Sequence, residues 1–128
     1  MKKILLLLFI ASGLLVASCT KRYDVVPNQT VYADLKTTDW TASDSDYTAL
    51  INTPQIDNYF NQHGGVIVYF TFDGGKSFEQ IPEVYNGISF SYTYTAGGIE
   101  LYAQNADGTK PTSAPTALTA KIVLVDSN

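Results

Sequence analysis

Residues 89–95 alternate without exception between hydroxyl and aromatic side chains. Successive side chains of a β-strand point to opposite faces, so Phe90, Tyr92 and Tyr94 would share one face of a strand. Gly97-Gly98 follows and predicts a tight hairpin turn into a second strand over residues 99–104. This pattern requires an antiparallel sheet, and it constrains the fold more than any other part of the chain.

Strand-like segments recur along the rest of the sequence. Residues 66–72 are apolar on both faces as far as Thr71, which predicts a central strand covered on each side. The polar turn region 37–46 contains the only tryptophan, Trp40, which we expect to be a core anchor. The other predicted strands are residues 30–36, 47–52, 76–81 and 117–125.

One segment has the signature of a helix. Thr53 suits an N-cap and Pro54 suits the first helical position. Ile56, Tyr59 and Phe60 follow at helical spacing, and Gly64-Gly65 marks the end, which predicts a helix of about ten residues. Seven strands and one short helix predict an all-β fold, a seven-stranded antiparallel β-sandwich of immunoglobulin-like type. A small β-barrel is the alternative.

The N-terminus has the layout of a secretory signal peptide, with Lys2 and Lys3 before an apolar run over residues 4–16. That run, about 13 residues long, is too short to span a bilayer. The following Val16-Ala17-Ser18-Cys19 resembles the lipobox of bacterial lipoproteins. The resemblance implies cleavage before Cys19 and lipidation of its thiol. The expected organisation is a signal peptide over 1–18, lipidated cysteine and tether over 19–29, and a β domain over 30–128.

Charge and cysteine content limit the partners of the mature chain. Two of the eight basic residues lie in the predicted signal peptide, which leaves six against 12 acidic residues, a formal charge of −6. An acidic surface argues against nucleic acid as a partner, because nucleic acid binding needs clustered Lys and Arg. Cys19 is the only cysteine, so no intramolecular disulfide can form.

Residues 71–78 (Thr-Phe-Asp-Gly-Gly-Lys-Ser-Phe) resemble the Asp-box of sialidase-type propellers. The resemblance implies a structural hairpin remote from any catalytic pocket, with Asp73, Gly74 and Gly75 forming the turn and Phe78 packing over it. A propeller needs at least four such blades, and the motif occurs once here, so no sialidase activity is expected. A calcium-binding loop at Asp73 is the alternative.

Catalytic signals are sparse, and we expect no enzyme, no metal and no cofactor. His63 is the sole histidine, and its place near the predicted helix C-terminus favours a structural role. Asp44 and Asp46 lack the further oxygen ligands of a calcium loop. A small hydrolase would need two opposed carboxylates, and Glu79, Glu83 and Glu100 are the candidates that the sequence offers.

Tyrosines are the best candidates for recognition, because they combine apolar area with a polar tip. Tyr92 and Tyr94, with Tyr102 on the neighbouring strand, are the predicted ligand-binding residues. The sequence leaves open whether the Phe90, Tyr92 and Tyr94 face is exposed or fills the core, and packing favours the core.

Several features together resemble those of small Bacteroidota-type lipoproteins of unassigned function. They are the lipobox, Asp39-Trp40, the 66–72 strand after a short helix, residues 78–82, the Ser/Tyr strand and the closing 121–125 strand. The resemblance implies a compact β-sandwich in the cell envelope, held at the outer membrane by lipid and facing the periplasm. Surface display stays open, because Thr20-Lys21-Arg22 is basic where an acidic cluster often accompanies export. The expected function is non-enzymatic, either binding or structural, with an envelope protein or a glycan as partner. A glycan-binding accessory module of a carbohydrate-uptake system is the alternative.

Overall fold

Burial alternates along the long strands, as the sequence pattern predicts for sheets with one buried face. The computed structural model describes residues 27–127. The described elements are β1 (Gln29–Leu35), a 3-10 turn (Thr37–Asp39), β2 (Thr41–Ala42), β3 (Tyr47–Thr53), α1 (Asn58–His63), β4 (Gly65–Thr71), β5 (Glu79–Gln80), β6 (Glu83–Tyr85), β7 (Ile88–Thr95), β8 (Gly97–Asn105) and β9 (Leu118–Val125).

The strands form two antiparallel sheets, in the orders β1-β9-β4-β5 and β2-β3-β8-β7-β6. The prediction of an all-β sandwich is confirmed, and the described strands do not close into a barrel. All seven predicted strands are present, and the short strands β2 and β6 bring the described number to nine. The first and last strands are neighbours in one sheet. In the immunoglobulin order they lie in different sheets, so the likeness is one of architecture rather than strand order.

The core lies between the two sheets, and aromatic rings form one end of it. Phe70 and Phe90 meet edge to face with ring centroids 5.3 Å apart. Trp40 is buried, as predicted, and its ring lies 6.2 Å from that of Phe90. Ile67 and Tyr69 on the outer face of β4 are only half-buried. No second layer of described residues covers that face, so the prediction of a strand covered on each side is wrong.

The helix differs from its prediction in length and in its cap. Asp57 is the N-cap of α1, and its side chain accepts the Phe60 N–H at 2.7 Å. Thr53, the predicted cap, is instead the last residue of β3, where it is buried and paired with Gly97. Strand pairing therefore outcompetes the local capping signal. Tyr59, predicted on the apolar stripe, is 59% exposed.

The sandwich has two ends, which carry different features. Pro27, Gln29 and α1 lie at the end that we name proximal, where they surround a shallow cavity. Strand β1 then runs through its seven residues to Leu35 at the opposite, distal end. At roughly 3.3 Å per residue, the two ends are about 20 Å apart. In the part of the chain described, no helix has the length and apolar character to cross a membrane.

Candidate functional site

The carboxylate of Asp73 organises the turn between β4 and β5. Its Oδ1 accepts the Lys76 and Ser77 N–H groups, both at 3.0 Å, and the Thr71 hydroxyl at 2.8 Å. Its Oδ2 accepts the Ser77 hydroxyl at 2.6 Å. These are the contacts expected of the structural turn that the sequence predicts. A calcium ion would have to displace these four donors, so the geometry favours the turn over the calcium alternative.

The glycines and the aromatic residue of this motif also have defined positions. Gly74 and Gly75 have φ values of 73° and 92°, a left-handed conformation that glycine adopts without steric cost. The Phe78 ring is half-buried, and Lys121 Nζ lies 4.0 Å from its centroid and 4.7 Å from that of Tyr69. The lysine thus links the hairpin to the outer face of its sheet.

We expect the Asp73 turn to make stability depend on pH. Hydrogen bonds from Ser77, first from its hydroxyl and then from its N–H, and from Thr71 lower the Asp73 pKa from 3.8 to about 2. A carboxyl whose pKa is lower in the folded state stabilises the fold above its unfolded pKa, and this contribution disappears as pH falls through the folded pKa. Asp73→Ala should therefore unfold at lower urea concentration than wild type at pH 6, and the gap should narrow between about pH 4 and pH 2.

Asp73→Asn is the matched control, because an amide oxygen still accepts hydrogen bonds but does not titrate. Its stability relative to Asp73→Ala should not vary with pH over this range. A gap between wild type and Asp73→Ala that stayed constant from pH 6 to pH 2 would contradict the role of the ionised carboxylate.

Two of the predicted ligand-binding tyrosines face the interior of the sandwich. Phe90 is buried, and Tyr92 and Tyr94 are half-buried against the core. The Tyr92 hydroxyl donates a hydrogen bond to the Val66 carbonyl of the opposite sheet. Burial, and then the nearby Tyr94 and Tyr69, raise the Tyr92 pKa. The question that the sequence left open is resolved toward the core.

Tyr102, the third predicted tyrosine, lies on the other side of the same sheet. It pairs with Ser91 and Thr48 in register, so it shares their outer face, and its hydroxyl is 3.0 Å from Thr93 Oγ1. The structure therefore places Tyr102 apart from Tyr92 and Tyr94, and the three side chains do not form one platform.

A cavity of about 220 Å³ opens at the distal end, between the β6–β7 hairpin and the loop that precedes β9. We name it the distal cavity. Aromatic and aliphatic side chains make up much of its wall, and uncharged polar side chains supply the rest. The lining residues are Phe72, Tyr85, Asn86, Ile88, Phe90, Asn105, Pro111, Thr112, Ser113, Ala114, Pro115 and Thr116.

A stacked aromatic pair forms part of that wall. The Phe72 and Tyr85 rings are nearly parallel, at an angle of 3°, with centroids 3.9 Å apart. Tyr85 enters the hairpin turn Asn86-Gly87, whose residues have φ values of 49° and 78°. Positive φ at both positions is typical of a type I′ turn, for which Asn-Gly is a favoured sequence. Asn86-Gly87 is thus a local signal in the sequence, missing from the predicted strands and turns, that indicates the β6–β7 hairpin and hence this wall.

Several polar groups at the distal cavity are available to a ligand. Asn105 Nδ2 donates to Thr109 Oγ1 at 3.0 Å and to the Lys110 carbonyl at 3.1 Å, which leaves its Oδ1 as an acceptor. The side chains of Asn86 and Thr112 are exposed to solvent and that of Tyr85 is half-buried, so their polar groups are accessible at the rim of the cavity. A few polar groups beside an apolar and aromatic wall are typical of small-molecule sites.

An acidic recess lies next to the distal cavity and shares Phe72 and Tyr85 with it. Its other lining residues are Asp73, Ser77 and Glu79. Partial burial, and then the charge of Glu79, raise the Glu83 pKa, so these two predicted carboxylates lie close together. Glu100, the third, is exposed on the outer face beside Leu50 and Thr93.

The remaining candidates from the sequence lie in local structural roles. The His63 ring stacks on Tyr59 in the last turn of α1, and its Nδ1 lies 2.9 Å from the Tyr59 carbonyl. Asp46 bonds the Ser43 hydroxyl in a surface turn. Within the described residues, no three His, Cys, Asp or Glu side chains are grouped to hold a metal ion. Cys19 lies outside the described residues.

Comparison with known proteins adds no family to these observations. No family model, curated protein or solved structure matches the chain. A functional proposal therefore has to rest on the geometry of the described residues and on the N-terminal sequence.

Proposed function

We propose that this chain is a lipid-anchored, non-enzymatic protein of the bacterial cell envelope, and that its β-sandwich serves as a binding domain. The Val16-Ala17-Ser18-Cys19 sequence supports the anchor. The resemblance of the whole chain to small Bacteroidota-type lipoproteins supports a place at the outer membrane, facing the periplasm. An envelope protein or a glycan is the proposed partner.

The proposal rests on one observation: the start of the described chain and the distal cavity lie at opposite ends of the sandwich. Pro27, eight positions after Cys19, lies at the proximal end. The distal cavity lies at the other end of β1, about 20 Å away at roughly 3.3 Å per strand residue. A lipid on Cys19 would therefore attach the sandwich through its proximal end, the end opposite the distal cavity.

The anchor has a direct test. Wild-type protein should label with palmitate and fractionate with membranes, whereas Cys19→Ser should lose both properties completely. The expected loss is large because acyl chains contribute about 0.8 kcal/mol per buried CH₂ group. Cys19 is the only cysteine, so any palmitate bound through a thiol must be on this residue.

Ser18→Ala is the matched control for this experiment, because it keeps a small residue before the cysteine. It should label as wild type does. Palmitate labelling of the Cys19→Ser protein would refute the lipid anchor, whatever the binding domain does.

A glycan-binding accessory module is the second candidate function, and the distal cavity favours it. The cavity combines aromatic rings with uncharged hydrogen-bonding groups, and a sugar ring offers matching apolar and hydroxyl surfaces. This support is independent of the predicted Tyr92, Tyr94 and Tyr102 platform, whose members lie on opposite faces of a sheet.

A hydrolase is the weaker alternative. It needs two carboxylates that both reach the substrate, one of them with a raised pKa. Glu79 and Glu83 lie close together, but Glu83 is not among the residues that line the acidic recess. Its Oε1 is buried without a hydrogen-bond partner in the described structure. Turnover of a saccharide that Glu83→Gln abolished would make the hydrolase reading correct instead.

A further inference from the structure

We infer that the distal cavity is a subsite for a single neutral sugar ring. The inference rests on the proposed binding function and names the ligand class of that domain. The cavity volume of about 220 Å³ is below the ~300–1,000 Å³ of pockets that hold drug-sized ligands. The size suits one ring rather than a longer segment, so the ligand would be a chain end or a branch.

The stacked rings provide the apolar surface that such a ligand needs. Phe72 covers one face of Tyr85, and Phe72 itself contacts Phe70 and Phe90 with centroids about 6 Å apart. Because the supporting rings belong to the core, the Tyr85 ring is held in place before a ligand binds. Binding then costs little conformational entropy, which favours affinity for a small ligand.

The polar groups around the rings suit hydroxyl groups. Asn105 presents Oδ1 as an acceptor, because both hydrogens of its amide are used by the 109–110 segment. Asn86 offers both a donor and an acceptor from a turn whose backbone is fixed by positive φ. A hydroxyl can donate to one of these groups and accept from the other, as the hydroxyls of a sugar do.

The charges around the cavity restrict the ligand to neutral sugars. No charged side chain lines the cavity, and Asp73 and Glu79 lie in the adjoining recess beyond the Phe72–Tyr85 wall. Lys110, next to Pro111 in the loop, has its Nζ 5.5 Å from the Tyr47 ring. A uronic acid or sulfated sugar would lose hydration here without gaining a cationic partner, and it would be repelled by the acidic recess.

The test is a binding titration of the full lipidated protein in a zwitterionic detergent, which avoids sugar headgroups. The probes are oligomers of glucose, mannose, galactose and N-acetylglucosamine, with polygalacturonate as the anionic counterpart. Calorimetry is the primary readout, and the fluorescence of Trp40 is the second, because its ring contacts Phe90 in the cavity wall. We expect one or more neutral series to bind and polygalacturonate to bind at least about tenfold more weakly.

Three variants and one control locate the binding. Tyr85→Ala should weaken binding by about tenfold or more, and Tyr85→Phe, which keeps the ring, should stay within about threefold of wild type. Asn86→Gly should also weaken it, while glycine keeps the positive φ of the turn and therefore the fold. Tyr102→Ala, on the outer face, should bind as wild type does.

The outcomes are distinct for the two proposals. Equal binding of polygalacturonate, or binding of none of the neutral series, would refute the sugar subsite even if Cys19 carries its lipid. Loss of binding in Tyr102→Ala but not in Asn86→Gly would move the site to the outer sheet face and keep the binding function. If Tyr85→Ala does not fold, the affinity of Asn86→Gly is decisive. An affinity equal to that of wild type would refute the distal cavity as the sugar subsite.

Discussion

Replacing Trp40 by alanine should lower the free energy of unfolding by about 3–5 kcal/mol, the range for truncation of a large buried aromatic residue. Trp40 is 6% exposed, and it packs on Phe90 near the distal end of the core. The substitution would leave a cavity between two sheets whose backbones are fixed by strand pairing, so collapse around it is limited. Urea unfolding of wild type and variant gives the difference directly.

Trp40→Phe separates the packing of the ring from the chemistry of the indole. The buried Nε1–H has no hydrogen-bond partner in the described structure, so its removal costs no bond. Phenylalanine keeps an aromatic ring against Phe90. Trp40→Phe should therefore lower the free energy of unfolding by less than half as much as Trp40→Ala does. A loss below about 1 kcal/mol in Trp40→Ala would place the side chain on the surface and contradict the fold at this point.

Ile56→Ala should cost about 2–5 kcal/mol, which is the second-largest effect we expect. Ile56 is 1% exposed and lies just before α1. Its carbonyl accepts the Gly97 N–H at 2.7 Å, which ties the helical segment to the β7–β8 turn. The side chain therefore stabilises the packing of this segment and the β7–β8 turn at the proximal end. Urea unfolding of Ile56→Ala and wild type measures the loss.

Tyr59→Ala is the matched control, because the sequence predicts Ile56 and Tyr59 on one helical stripe. Tyr59 is 59% exposed in the structure, so its truncation should change stability by less than about 0.5 kcal/mol. Equal losses for the two variants would favour the predicted helix, with both residues on a buried face, over the observed segment.

The sequence predicts the long hairpins well because their signals are local. Phe90 and Leu101 fall on the buried face that alternation assigns to them. The turn that joins β7 to β8 lies at Ala96-Gly97, one residue before the predicted Gly97-Gly98, because Gly98 pairs with Thr95 and belongs to β8. Thr53 shows where local signals fail. An N-cap contributes only about 1 kcal/mol to helix stability. Pairing with Gly97, which is distant in sequence, instead extends β3 through this residue.

The candidate site was harder to predict, because its residues are brought together from distant parts of the chain. Phe72, which directly follows β4, stacks on Tyr85 of β6 in the other sheet. Residues 111–116 complete the cavity from a loop without periodicity. Asn86-Gly87 carried a local turn signal, but nothing in the sequence indicates which surface that turn faces. Strand alternation alone does not give the register between two strands, so the sequence does not show that Tyr102 pairs with Ser91 and faces away from Tyr92.

The sequence by itself determined the class of fold and the turn at Asp73, since side-chain alternation and turn chemistry act over a few residues. It also contains the lipobox-like Val16-Ala17-Ser18-Cys19, which lies outside the described residues. Tertiary structure alone decided that Tyr92 faces the core and Tyr102 does not, because a one-residue change in position moves a side chain to the other face of a sheet. It also decided that the distal cavity lies opposite the proximal end, because that arrangement follows from how the two sheets pack and not from any one segment.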